Sequence, residues 1–159
     1  MCCKIFDVPP VDNKPAGVWC KHCKPGSGCG IWDTRDQFCA DYFCHWRFDG
    51  SLGPEWRPDV AKFLINREPG DIWLSVIVDK VQPNAWRREP YHTKLRALAT
   101  RLIEGGKHGL MLIVGDSKYV ILPDREILIG TRNTHANVRF KRATVNGTVR
   151  YDVELQVAA

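Results

Sequence analysis

The chain lacks any apolar run long enough to cross a membrane. Its longest apolar stretches, residues 72–78 and 110–114, fall far short of the roughly 20 residues that a membrane-spanning helix needs. The first seven residues, MCCKIFD, also lack the basic segment and the long apolar stretch of a secretory signal. We therefore expect a protein without a membrane span that works in a reducing cytoplasm.

Signatures of catalysis are absent as well. The sequence has no G-x-S-x-G, no Walker loop, no glycine pattern of a dinucleotide-binding fold and no H-E-x-x-H. The segment 26–28 (GSG) lacks the flanking strand and helix that would make Ser27 a nucleophile. Internal repeats and low-complexity segments are also missing, so 159 residues with 44% hydrophobic and 26% charged residues predict about one folded domain. A non-enzymatic role is favoured.

Cysteine, in contrast, is abundant. The chain has seven cysteines, and five of them fall between residues 20 and 44. In a reducing compartment such a cluster indicates metal binding rather than disulfides. Cys20 and Cys23 form a C-x2-C pair, whose two intervening residues make a tight turn that points both sulfurs at one ion. The turn-rich segment 24–30 would bring Cys29 back toward this pair.

All seven cysteines are therefore candidate metal ligands. Cys20, Cys23 and Cys29 would bind one ion together with either Cys39 or Cys44. Cys2 and Cys3 would join them from the N-terminus. His22 or His45 could take a vacant position, because imidazole is a normal zinc ligand. The complete set of candidates is Cys2, Cys3, Cys20, Cys23, Cys29, Cys39 and Cys44.

Zinc is the leading cofactor, because thiolate sites of this spacing are most often closed structural zinc sites. Iron, as a mononuclear site or an iron–sulfur cluster, is the alternative, because the same soft ligands suit it. An iron site would favour a redox protein. Redox sensing by free thiols is a further interpretation of the cluster.

The chain divides into two parts by pattern. Residues 1–60 are rich in proline, glycine and aromatic residues without a sustained period, which predicts an irregular metal-binding lobe that depends on its ion for folding energy. Within it, the apolar spacing over 36–46 is typical of a helix. Residues 61–159 predict a sheet domain. The predicted fold class is α+β, with a cysteine-rich N-terminal lobe packed on a small, mainly antiparallel sheet with one principal helix.

The second part shows regular patterns. An apolar, β-branched run at 71–79 predicts a strand buried on both faces. A helix is expected to open at Glu89-Pro90 and to end at Gly105-Gly106, with one apolar stripe facing the sheet. Further strands are predicted at 110–114, 119–122 and 127–129, and Asn146-Gly147 predicts a hairpin turn followed by a half-buried strand over 149–157.

The formal charge of +5 is unevenly distributed. Residues 1–50 carry six Lys or Arg and six Asp or Glu, so the positive excess lies elsewhere. Late in the chain, a basic hairpin could bind nucleic acid or an acidic protein, with zinc serving only as a scaffold. A solvated strand face is the plainer interpretation. The residues concerned are Arg139, Lys141, Arg142 and Arg150; the sequence gives no oligomeric state.

Several segments resemble a known family. PAGVWCKHC at 15–23, GCGI at 28–31 and CHW at 44–46 are similar to the bacterial YkgJ-like, CxxCxxCC-type zinc- or iron-chelating domain proteins. The similarity continues to about residue 130, through the segments EWRP at 55–58, NAWRREPY at 84–91 and LPDRE at 122–126. The resemblance implies metal binding through cysteines, and it implies no known reaction.

The resemblance also bears on the start of the chain. The family pattern has an additional cysteine a few residues before the adjacent pair, which here is Cys2 and Cys3. An internal methionine taken as the start would explain why that cysteine is missing. The seven cysteines present predict one full site and a partial one.

Overall fold

A five-stranded sheet is the centre of the protein. The computed structural model describes residues 1–42, 44–67, 73–106, 109–131 and 136–157. Helices are α1 (Cys2–Ile5), α2 (Gln37–Ala40), α3 (Pro58–Ala61) and α4 (Tyr91–Glu104). Strands are β1 (Cys23–Lys24), β2 (Gly28–Cys29), β3 (Phe63–Asn66), β4 (Trp73–Val78), β5 (Gly109–Val114), β6 (Ser117–Ile121), β7 (Glu126–Thr131), β8 (Ala136–Val145) and β9 (Thr148–Val157).

The sheet is mixed and has the strand order β3-β4-β5-β6-β7. Only β4 and β5 pair in parallel, and the other three pairings are antiparallel. A parallel pair needs a crossover connection, which α4 supplies here. The pairs β1–β2 and β8–β9 form two separate ribbons. The predicted combination of helix and sheet is confirmed.

Helix α4 covers one face of the sheet. It spans the 14 residues Tyr91–Glu104, and Gly105 is its C-terminal cap. Its apolar stripe and the two glycines predict this end. Leu95 and Ala99 are fully buried against Val76 and Leu112 of the neighbouring strands. Alternation along each strand explains this contact, because every second side chain points to the same face. The stripe predicted from the sequence is therefore the core contact.

The opposite face is covered by two elements from the ends of the chain. Ile5 of α1 packs with Leu64 and Ile77. Farther along the sheet, Val138 and Tyr151 of the β8–β9 ribbon pack against three residues in or next to β6 and β7, namely Val120, Leu122 and Ile129. Strand β4 is thus buried on both faces, as predicted, since alternate residues face α4 and α1.

The three downstream segments of the family resemblance meet beside the N-terminal turn of α4. The Tyr91 hydroxyl donates a hydrogen bond of 2.7 Å to the carbonyl of Glu55. Arg96 pairs with Glu126 at 3.1 Å, and Arg87 pairs with the same carboxylate. These residues join the loop before α3, the start of α4 and the start of β7, so their contacts are structural.

Two predictions from the sequence need correction. The helix expected over 36–46 is broken: α2 ends at Ala40, and a separate 3-10 turn covers His45–Arg47. The strand after Asn146-Gly147 is half-buried only near its middle, where Tyr151 and Val153 pack on the sheet, whereas Val149 and Leu155 are each 39% exposed. Phe43, part of the predicted helix, and residues 71–72, part of the strand predicted at 71–79, lie outside the described residues.

A buried ion pair fastens α1 to the sheet. Lys4 Nζ lies 2.6 Å from Asp79 Oδ2, and the two side chains are only 13% and 5% exposed. The other oxygen of Asp79 accepts the backbone N–H of Val81 at 3.1 Å. Because α1 has only four residues, this pair and the side chain of Ile5 position the chain start.

Within the described ranges, no helix is both long and apolar enough to span a membrane.

Replacing Leu95 by alanine should destabilise the protein by about 3 kcal/mol, because it leaves a cavity under α4. Leu128→Ala is the matched control, since the Leu128 side chain is 58% exposed. The free energy of unfolding, measured by urea titration, checks both. Equal losses for the two variants would contradict the assignment of α4 to the core.

Asp79→Asn should destabilise the protein by about 3 kcal/mol, because it leaves the Lys4 ammonium buried without its counter-charge. Asp12→Asn provides the same chemical change in the exposed pair of Lys21 and Asp12, and it should leave stability unchanged. Urea unfolding followed by tryptophan fluorescence measures the difference. A stable Asp79→Asn protein would show that the pair does not fasten α1.

Candidate metal centre

Helix α1 brings the N-terminal cysteines next to Cys20. The segment before Cys20 runs beside α1, where Gly17 N–H donates to the carbonyl of Lys4 at 2.8 Å. Three residues later, Cys20 N–H donates to the carbonyl of Cys3, also at 2.8 Å. The two cysteines are 17 positions apart in sequence but adjacent through their backbones.

The C-x2-C pair forms the predicted tight turn. Cys23 N–H donates to the carbonyl of Cys20 at 3.0 Å, which closes the turn. The chain then enters the β1–β2 ribbon, in which Cys23 lies directly opposite Cys29. Gly26 and Gly28 have φ values of +83° and +105°, which are accessible mainly to glycine and allow the chain to reverse here. The structure thus confirms that the loop returns Cys29 to the pair.

Cys39 lies within electrostatic range of this group. It sits in α2, whose first turn is capped by the Asp36 side chain accepting Phe38 N–H at 2.8 Å. Burial raises the pKa of Cys39, and the charges of Asp36, Cys20, Cys2 and Cys29 raise it further. A cysteine surrounded by other thiolates is difficult to ionise unless a cation is added.

Cys2 and Cys3 form a second group, to which Cys44 is linked through the charge of Cys2. The sulfurs of Cys2 and Cys3 are 4.0 Å apart, and their hydrogen bond lowers the pKa of Cys2 to about 6 while it raises that of Cys3. Burial, with a smaller contribution from the charge of Cys2, raises the pKa of Cys44. The charge of Cys23 also raises the pKa of Cys3, so the two groups are adjacent.

The hydroxyl of Tyr42 borders the second group. It is buried and forms no hydrogen bond of ordinary geometry among the described residues, although it lies close enough to Cys44 for a weak hydrogen bond to contribute to its raised pKa. Burial raises the pKa of Tyr42, and the charges of Cys44 and Cys2 contribute in the same direction. A buried hydroxyl without a well-formed hydrogen bond is costly, and an ionised thiol beside it would be a suitable acceptor.

Lys14 places a buried positive charge close to both groups. The residue is 6% exposed, and its Nζ donates to the carbonyls of Pro15 at 2.9 Å and Lys4 at 3.3 Å, and also to that of Phe6. Burial lowers the pKa of Lys14, which the charges of Cys20 and Cys3 partly counteract. The ammonium therefore both ties α1 to the following loop and offsets negative charge on nearby sulfur.

The thiols are neighbours, but they do not form a preassembled site. Among the described residues, no three His, Cys, Asp or Glu side chains are grouped closely enough to hold a metal ion. Neither His22 nor His45 completes such a group among the described residues, and His45 instead lies 3.4 Å from the Asp49 carboxylate. Thiols are soft donors of the kind that zinc and iron accept.

Sequence reasoning did not identify three residues of this region. Lys14, Tyr42 and Asp79 carry no motif, and each acquires its importance from contacts across the fold. Asp79 lies 75 positions from its partner Lys4. Only the buried location of these polar groups reveals them, and no periodic pattern in the sequence signals it.

The tryptophans of the first 60 residues lie in different surroundings. Trp56 is buried in the main core beside Phe63 and Tyr91. Trp32 is 54% exposed and stacks on the Arg35 guanidinium at 3.8 Å.

Comparison with known proteins found no matching family model, no similar curated protein and no similar solved structure. The resemblance to YkgJ-like proteins therefore stays a prediction from the cysteine pattern.

Proposed function

We propose that the chain binds a structural zinc ion through cysteine thiolates of residues 1–62, called the N-terminal segment below. The observation that carries the proposal is the convergence of Cys20, Cys23 and Cys29 at one end of the β1–β2 ribbon, beside Cys3. Backbone hydrogen bonds produce this convergence, so it does not depend on flexible side chains. Thiolates from a tight turn and an opposing strand are common zinc donors.

The proposed ligands of this ion are Cys20, Cys23, Cys29 and Cys39. Between the two candidates for the fourth position, Cys39 is favoured because the charges of Cys20 and Cys29 both raise its pKa, whereas neither is among the main causes of the raised pKa of Cys44. The charge of Cys2 acts on both candidates. Cys2, Cys3 and Cys44 then constitute a partial second site of three thiols.

Zinc would supply folding energy that the N-terminal segment lacks. Only four of the described apolar residues before Lys62 are buried, namely Ile5, Val8, Trp56 and Ala61. Structural zinc sites contribute on the order of 10 kcal/mol at neutral pH, which is large compared with what so small a core provides. Because the thiols must approach one another to bind the ion, binding and local ordering would be coupled.

A closed site of four thiolates argues for a structural role. Such a site leaves no open coordination position for a substrate or an activated water. It would carry a net charge of about −2, since four thiolates outweigh one dication, and the Lys14 ammonium lies where it would offset part of that charge. Iron is the alternative metal, because thiolates suit it equally and the family resemblance implies either ion.

Zinc content should fall from about one ion per chain to nearly none in Cys20→Ser and Cys23→Ser, because each variant removes one of four ligands. Elemental analysis of protein purified anaerobically under reducing conditions gives the stoichiometry, and the visible spectrum distinguishes zinc from iron. Tryptophan fluorescence should respond to zinc in the wild-type protein but not in either variant.

Cys44→Ser is the matched control, because it changes a cysteine assigned to the other group and should retain the ion. Metal content that is unaffected in both Cys20→Ser and Cys23→Ser would overturn the proposal. Stoichiometric iron with absorption bands in the wild-type protein would replace zinc with iron and make a redox role the leading interpretation.

A further inference from the structure

The β8–β9 hairpin extends beyond the body of the protein. Its two strands pair in continuous register from Ala136↔Val157 to Val145↔Thr148. The base is held to the sheet by Val138, Tyr151 and the Phe140 ring. The Phe140 ring packs closely on Gly109: a Cβ added at Gly109 would lie 2.7 Å from Cζ of Phe140. All residues from 141 to 150, called the arm below, are exposed.

The tip of the arm is narrow and well defined. Asn146 and Gly147 have φ values of +50° and +75°, as a two-residue type I′ turn requires. At about 3.4 Å per residue, residues 141–145 of β8 project by roughly 15 Å, and residues 148–150 of β9 pair with the last three of them. The arm is therefore a two-stranded ribbon of exposed residues, and at its base Arg142 also lines a cavity with Ile103, Glu104 and Tyr151 of the body.

The arm carries cations and no anions. Its sequence, KRATVNGTVR, contains Lys141, Arg142 and Arg150 but no Asp or Glu. Lys141, at the base, pairs with Glu154 at 3.2 Å. Neither Arg142 nor Arg150 forms an ion pair with any carboxylate in the part of the chain that the structure describes. Farther from the tip, basic residues such as Arg96 and Arg125 are paired.

The register places these cations on both faces of the ribbon. Arg142 pairs across the strands with Tyr151, whose side chain faces the body, whereas Lys141 and Arg150 belong to the alternate face. A flat partner surface would meet only one of these faces. A groove with negative charge along both walls would meet both.

Duplex DNA offers such a groove. The major groove of B-form DNA is about 12 Å wide and admits a two-stranded ribbon, with phosphates along each side. The major groove of duplex RNA is too narrow and deep for side chains to read. We propose that the arm inserts into the major groove of B-form DNA, with Arg142 and Arg150 contacting phosphates on its opposite walls.

Binding by this arm should depend strongly on salt and little on sequence. The phosphate contacts of Arg142 and Arg150, with a third from Lys141 when it exchanges Glu154 for phosphate, give a slope of about −3 in log affinity against log salt. This slope corresponds to about 40-fold weaker binding at 200 mM than at 50 mM salt. In this arrangement the arm's arginines contact phosphates, which position a protein on the duplex and carry no sequence information, so the affinity should vary little with base sequence.

The test uses the full-length protein and fluorescence anisotropy with a labelled DNA duplex of about two helical turns. In the double variant Arg142→Gln/Arg150→Gln, the salt slope should fall to about −1, because each lost phosphate contact removes about one unit. Binding at 50 mM salt should weaken at least about tenfold, since only one phosphate contact remains. Because both side chains are exposed, the variant should keep the circular dichroism of the wild-type protein.

The control double variant Arg57→Gln/Arg101→Gln removes the same charge from exposed sites off the arm, and its DNA affinity should stay close to wild type. Equal losses in the two double variants would overturn the proposal in favour of general charge attraction. Binding to duplex RNA or to polyglutamate at least as tight as to DNA would also overturn it. Zinc content measured on the same samples separates this result from the metal proposal, which uses different residues.

Discussion

Burial of both faces of one sheet is the constraint on which the rest of the structure depends. A sheet with apolar residues on both faces must be covered twice, and here the two covers differ in kind. Helix α4 covers one face as a single long element. The other face is shared by Ile5 of α1 and by the base of the β8–β9 ribbon. Both ends of the chain are therefore fixed to the same core, and the candidate metal centre and the cationic arm take their positions from it.

Polar contacts hold the N-terminal segment where apolar burial does not. The ion pair of Lys4 with Asp79 and the three carbonyls around the Lys14 ammonium replace the core that an irregular segment cannot build. These contacts bring the cysteines together without closing them into a site. This combination is what a metal-dependent segment requires, because the ion can then supply the remaining order at a small entropic cost.

The charge distribution is compatible with both proposed roles. The N-terminal segment has balanced charge before its thiols ionise, and bound zinc would leave it negative, so it repels polyanions. The arm has three cations without a carboxylate among its ten residues. A structural ion at the N-terminus and a nucleic-acid contact in the arm are thus electrostatically compatible, because each uses charge that the other lacks.

The sequence by itself determined the elements whose causes are local. The stripe and terminal glycines of α4, the apolar run of β4 and the Asn146-Gly147 turn follow from side-chain period and backbone preference, and the structure confirms them. The C-x2-C turn and the return of Cys29 are local in the same sense.

Tertiary structure decided what depends on contacts between distant residues. The parallel pairing of β4 with β5, the position of Cys3 beside Cys20 and the burial of Lys14 and Asp79 are of this kind. The helix expected over 36–46 ends at Ala40, and none of the four residues of α2 is buried. A helix of about ten residues is stable only where tertiary packing supports it, and the local apolar spacing could not show whether such packing exists. Local patterns specify what a segment can form, and only the packed sheet specifies which segments meet.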